Sequence, residues 1–125
     1  SPSMNLLPGE VTGTGQQTTV KLAGGGTAVS DYPTTEADMG LEVSVGVRPE
    51  DFVEAEGEAI FEGKVEITEA LGEVTLLYFE RQGGGDQVIG KLPGIHREAR
   101  GAIIRLTATP DKVHLFSNGT SLLYR

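Results

Sequence analysis

At 125 residues, 38% apolar and 22% charged, the chain has the size and balance of one compact domain, or of two small lobes sharing a core, and not of a disordered segment. A net charge of −8 excludes a phosphate-backbone partner, because Lys and Arg are scattered and the densest group, Arg97, Arg100 and Arg105, is diluted by Glu98. The absence of Cys excludes disulfides and thiolate metal chemistry, which is consistent with a reducing compartment, and no apolar run approaches the ~18 residues of a membrane span.

Eighteen glycines, no Trp and no sustained period of 3.6 predict many short strands joined by tight turns. The chain opens with Ser-Pro and not Met, so we expect a processed chain or a fragment of a longer one. Residues 1–8 are too short and proline-bounded for a long helix, and we expect a single turn or an extended lead-in there. Residues 9–14 and 18–23 alternate around Gly15-Gln16-Gln17 as a hairpin would, and Gly24-Gly25-Gly26 turns the chain again. A short strand at 27–30 and a polar loop at 31–40 lead to the stretch around which the rest is organised, Leu41 to Phe52.

In that stretch Leu41, Val43, Val45 and Val47 alternate with Glu42, Ser44, Gly46 and Arg48, which predicts a strand with one buried face. Pro49 has no N–H for a ladder and ends it, so the chain turns through Glu50 and Asp51. Residues 103–116 repeat the pattern, an alternating strand cut by Pro110-Asp111, which suggests two small β units built alike.

Between the two units, the acidic link Glu-Ala-Glu-Gly-Glu at 54–58 is the best candidate for a seam between lobes. Residues 59–69 alternate in part, with Gly63 marking a bulge or bend, and residues 70–73 turn the chain. Residues 74–80 form the most hydrophobic strand, 87–92 pair back on it, and Pro93-Gly94 open a loop to Gly101. The last strands are predicted at 102–109, 113–116 and 121–124, with Asn118-Gly119 between apolar runs marking a tight hairpin, which is preferred to a glycosylation sequon.

Chemical motifs are sparse. Gly85 to Lys91 matches most of a phosphate loop, but Leu92 stands where a hydroxyl must hold magnesium and Pro93-Gly94 forbid the helix such a loop needs. His114, between Val113 and Leu115, reads as a structural strand histidine, and His96 as a surface residue in a charged loop. Neither has a second His at ligand spacing. Arg48 and Glu50 read as a structural ion pair or a contact with a neighbouring domain. No Ser-His-acid set has motif support, so the residues themselves offer no catalytic, cofactor or metal site.

Ser1-Pro-Ser-Met-Asn-Leu-Leu-Pro-Gly, Val45-Gly-Val-Arg-Pro-Glu-Asp-Phe, Glu69-Ala-Leu-Gly, and Val113-His-Leu-Phe followed by Asn118-Gly-Thr together resemble a known family across almost the whole chain. It is the C-terminal regulatory TOBE domain of sugar-type ABC transporter ATP-binding proteins, of the maltose/glycerol-phosphate importer kind. The match departs where the family often has Asp-Pro-x-Thr-Gly after His-Leu-Phe and this chain has Ser117-Asn-Gly-Thr, and where residues 97–101 replace a Val-x-x-Gly-Asp turn.

The resemblance implies an all-β fold of two small OB-like or MOP-like barrel lobes built from short antiparallel strands. Residues 1–8 would be a joint to a nucleotide-binding domain and residues 9–125 the regulatory domain, with intertwined lobes at 9–53 and 59–125. It further implies a homodimer, a membrane permease reached through the parent ATPase, a cytoplasmic place at the inner membrane, and ATP and magnesium held only by the parent's other domain. The chain itself would be no enzyme. Pro2, Met4, Asn5, Arg48 and Glu50 would touch the nucleotide-binding domain; Leu71, Gly72, His114 and Phe116 would form the dimer or regulatory surface. The first half is also similar to molybdate-binding Mop-type domains, which would make Ser3, Asn5 and Lys21 ligands of molybdate or tungstate, although an acidic chain is a poor host for an anion.

Overall fold

The computed structural model describes residues 3–83 and 85–124. Among them the chain is all β, with no helix longer than the single 3-10 turns that join strands. In chain order the first strands are β1 (Asn5–Gly13), β2 (Thr18–Leu22), β3 (Thr27–Ser30) and β4 (Glu42–Val47). There follow β5 (Val53–Glu54), β6 (Phe61–Ala70), β7 (Val74–Phe79), β8 (Ile89–Pro93), β9 (Ile103–Thr107), β10 (His114–Ser117) and β11 (Thr120–Ser121).

They make two antiparallel sheets, one of six strands in the order β11-β10-β4-β1-β2-β3 and one of five in the order β5-β9-β6-β7-β8. The first sheet thus takes its last two strands from the far end of the chain. Val43, Val45 and Val47 of β4 are buried, as their alternation predicts, and they share one core with Val11, Val20 and Leu115 of the same sheet and Phe61, Val65, Leu77, Phe79 and Leu106 of the other. Edge-to-face packing of Phe61 on Phe79, with centroids 5.1 Å apart, fills the second sheet's side of that core.

The chain passes between the sheets at the two strand–Pro–acid units. β4 runs into the 3-10 turn Pro49–Asp51 and emerges in the second sheet, and β9 runs into the 3-10 turn Pro110–Lys112 and returns to the first. Proline at the first position of each turn supplies its fixed φ and needs no N–H partner. The acidic link at 54–58 follows the first crossing; β5 pairs with β9, and Ala55 N–H continues the ladder to Arg105 O at 2.9 Å. The change of sheet therefore comes before the acidic link, at residues the sequence had marked only as a turn.

The extended alternative expected for the lead-in holds over Asn5–Pro8, which is strand paired with Val47 to Ser44. Other departures have local causes. The β6 bulge lies between Val65 and Ile67, not at Gly63. Gly63 is needed for space instead: a methyl group there would stand 2.7 Å from the Phe61 ring and 3.2 Å from that of Phe79. Residues 122–124 form a 3-10 turn and not a strand, because Leu122 turns inward to be 1% exposed and its carbonyl accepts the Tyr32 hydroxyl. The Asn118-Gly119 hairpin is as expected, with φ of 52° and 79° and Ser117 facing Thr120.

Candidate functional site

Three polar fastenings tie together segments far apart in the chain, the first and third across the seam between the sheets and the second from β3 to the turn that leads back into β10 of the same sheet. The first is Asn5, 7% exposed, whose Nδ2 donates to Val47 O at 3.1 Å and Ile89 O at 2.9 Å while its Oδ1 accepts from Ile89 N–H at 2.9 Å. This carboxamide stands in for a missing ladder rung between β1 and β8, and removing it would strand buried backbone groups. The second is Ser30, also buried, whose hydroxyl donates to Val113 O at 2.6 Å. In the third, Thr27 N–H donates to Ala59 O at 2.9 Å beside Gly26, where the chains run so close that a methyl group would lie 2.1 Å from Ile60 O.

On the outer face of the first sheet, residues nominated for two different roles meet. β1 presents Leu6 opposite Gly46, and β10 presents His114 opposite the same glycine. The Met4 Sδ and the Phe116 ring close over it, at 2.5 and 2.7 Å from where a side chain would begin. Met4, Phe116 and His114 are half-buried and Leu6 is 49% exposed, so the cluster is an apolar patch with one imidazole in it. Leu6 was missed in sequence because the structure inverts the alternation that the residue types suggest, burying the polar Asn5 and exposing Leu6.

The remaining nominees are dispersed. Pro2 lies outside the described residues. Arg48 and Glu50 are exposed at the first crossing, and no ion pair joins them among the described residues. Leu71 and Gly72 form the exposed β6–β7 turn of the other sheet, with no strand pairing to His114 or Phe116. Next to that turn Tyr78 donates to Glu69 Oε1 at 3.0 Å, a hydrogen bond that, with slight burial and the carboxylate's charge, raises the phenol above its ordinary pKa. His96 is not idle: its ring Nε2 lies 2.6 Å from Pro93 O and its backbone N–H donates to Thr75 Oγ1, so it pins the loop after β8.

The oxyanion set does not converge within one chain. Asn5 faces the core with its amide fully engaged, whereas Lys21 is exposed, donates to Gly25 O at 2.8 Å, and pairs opposite Glu10. Asn5 and Glu10 are five positions apart along β1, about 17 Å at the rise of an extended chain. Among the described residues no group of three or more His, Cys, Asp or Glu is placed to hold a metal, and no helix is long and apolar enough to cross a membrane.

One cleft of about 820 Å3 opens at the seam. Its walls are Leu6 to Pro8 of β1, the Gly24-Gly25-Gly26 turn, residues 58–62, and Glu80, Gln82, Gly85, Asp86 and Val88, with Arg105 across the mouth. Arg105 reaches Glu62 Oε1 at 3.6 Å and donates to Gly57 O at 2.6 Å, and Gln82 donates to Glu62 O at 2.8 Å.

A pair of antiparallel sheets around one core, linked by two proline turns, defines the class as an OB-like β domain. The TOBE domain model matches residues 45–116 and the MalK OB fold domain model residues 1–52. The chain belongs to the TOBE domain family. It is 50% identical over 123 residues to the alpha-glucoside transport ATP-binding protein AglK of Rhizobium meliloti, covering 97% of this chain and 34% of that protein. It is 34% identical over 118 residues to the maltose/maltodextrin import ATP-binding protein MalK of Vibrio cholerae, covering 93% and 32%. It is 33% identical over 123 residues to the sn-glycerol-3-phosphate import ATP-binding protein UgpC of a Ruegeria species, covering 96% and 31%. The chain therefore spans about a third of the length of the curated relatives it matches. Among solved structures, the cytoplasmic molybdate-binding protein ModG superposes with a TM-score of 0.67 over 93% of this chain and 97% of that one, at 16% identity, which is a likeness of fold alone.

Proposed function

We propose that the chain is the regulatory and dimerisation domain of the ATP-binding subunit of an ABC importer for sugars or related solutes. The observation that carries this is the TOBE family match together with 50% identity to an alpha-glucoside transport ATP-binding protein over 97% of the chain. On this reading a nucleotide-binding domain of the same parent polypeptide holds ATP and magnesium, and a membrane permease and a second copy complete the transporter on the cytoplasmic side of the inner membrane. The chain does no chemistry. It acts by holding two ATPase subunits in register while they open and close, biasing that equilibrium through its own contacts.

The placement of the patch supports this. Residues 3–4 lead straight into β1, so a domain joined at this end sits beside Met4, Leu6, His114 and Phe116, which gives an exposed apolar cluster a neighbour to cover it. Leu71 and Gly72, exposed at the opposite sheet's turn, supply a separate surface for the second copy or a regulator. A molybdate site is not favoured, because Asn5 and Lys21 do not meet.

The test is a chimaera in which this chain replaces the matching third of Rhizobium meliloti AglK. It is expected to form a dimer by light scattering and to retain alpha-glucoside uptake in membranes with the partner permease. A chimaera that folds cooperatively yet stays monomeric and inactive would overturn the reading.

A further inference from the structure

At the seam cleft, β1 has a side without a neighbour. Ala23 N–H donates to Pro8 O at 2.9 Å, so the Pro8 carbonyl points towards β2. Backbone polar groups alternate sides along a strand, so the Leu6 N–H and C=O point the same way. β2 ends at Leu22, which faces Gly9, and no strand of the described residues continues past it. The Leu6 groups therefore open on the cleft that Leu6 to Pro8 line. An unpaired edge of this kind is a template for an added strand.

The surroundings specify what is added. Leu22, Ile60 and Val88, all buried, give the cleft an apolar floor. Its rim carries Glu58, Glu80 and Asp86, exposed and without an ion pair among the described residues, while Glu62 is opposed by Arg105. Four carboxylates line the cleft against the guanidinium of Arg105, with Lys21 held on Gly25 O and Arg81 on Gly85 O at its border; the surplus of acid, on a chain of net charge −8, disfavours an anion or an acidic segment and favours a basic one.

We propose that the seam cleft docks an extended, lysine- or arginine-bearing segment of another protein, which adds as a strand to the free Leu6 edge of β1 and sets its basic side chains against Glu58, Glu80 and Asp86. Main-chain hydrogen bonds fix the direction of the added strand, and the rim selects its charge. A segment held here lies between the two sheets and bears on their relative position.

The probe is a capped, fluorescein-labelled heptapeptide of alternating lysine and valine, with the alternating glutamate and valine peptide as its counterpart, titrated into the chain by fluorescence anisotropy. The lysine peptide is expected to bind and the glutamate peptide not to. Amide hydrogen exchange at Leu6 should slow by about tenfold or more at saturation, a change that loose ionic adhesion does not produce. Combining Glu58→Gln, Glu80→Gln and Asp86→Asn should weaken binding by about tenfold or more. Leu6→Pro removes the edge N–H while leaving the β4 ladder intact, and it should abolish binding with a cooperative melt retained. No binding of the lysine peptide, equal binding of both peptides, unchanged Leu6 exchange, or undiminished binding to the Leu6→Pro chain would each overturn the proposal. Binding is read on the chain alone, so such a failure leaves the transporter reading to the chimaera.

Discussion

The two crossings between the sheets begin alike and are fastened differently. Arg48 and Thr109, each just before a proline, adopt almost the same backbone, with φ and ψ of −71° and 147° in one and −66° and 148° in the other. Each then makes one 3-10 turn carrying an acid, and each ends on a buried apolar residue, Phe52 or Val113. At the first crossing Pro49 and Phe52 are themselves buried, Phe52 to 1% exposure, and hydrophobic packing holds the turn in place. At the second Pro110 is only half-buried, and β3 holds the turn by hydrogen bonds, from Ser30 Oγ to Val113 O at 2.6 Å and from Asp31 N–H to Pro110 O at 3.0 Å. A local motif sets the shape of a turn, and distant neighbours decide what secures it.

The largest effect that would test this contrast is at Phe52. Truncation by Phe52→Ala should cost about 3–5 kcal/mol, read from urea unfolding, since it leaves a void in a well-packed core. At the other crossing Ser30→Ala should cost less, about 1–3 kcal/mol, because it deletes little volume but leaves the buried Val113 carbonyl, and the Tyr32 N–H that Ser30 Oγ also accepts, without a partner. The double variant should be close to additive if the crossings are independent fastenings. A Ser30→Ala penalty equal to that of Phe52→Ala would erase the distinction between a packed and a hydrogen-bonded crossing.

Part of this was legible in sequence. The alternation of Val43, Val45 and Val47, the stop at Pro49 and its echo at Pro110, and the Asn118-Gly119 hairpin are all short-range signals written in contiguous residues, and each corresponds to an element of the fold. What those elements do together was not legible, because it depends on pairs far apart in the chain. Asn5 and Ile89 are 84 positions apart, and Ser30 and Val113 are 83, so no local period announces either bond. Gly63 suggested a bulge or bend, whereas the bulge lies after Val65, because a glycine in a strand signals irregular backbone and close packing equally well. The patch was half visible: Met4, His114 and Phe116 were singled out by their motifs, but only the register of β1, β4 and β10 places them around Gly46 with Leu6. The cleft's carboxylates gave no signal, since Glu58, Glu80 and Asp86 come from three separate loops and strand ends.

The smallest test of the contrast is electrostatic and falls on the second crossing alone. Asp111 titrates below the ordinary carboxylate range, chiefly through hydrogen bonding from the Thr109 side chain, with its own backbone N–H and the charge of Lys112 adding to it and slight desolvation opposing. A carboxyl group whose pKa is lowered by folding stabilises the native state above its unfolded pKa, and that contribution is lost as pH falls through the lowered folded value. Asp111→Asn should therefore lower the melting temperature slightly near neutral pH, and the gap between parent and variant should close as the pH is taken from about 7 to about 2. Because the side chain is fully exposed, added salt should narrow the neutral-pH gap as well. A gap that stays constant to the acid end would mean that the charge of Asp111 does not help hold this crossing, leaving the Ser30 and Asp31 hydrogen bonds to secure it.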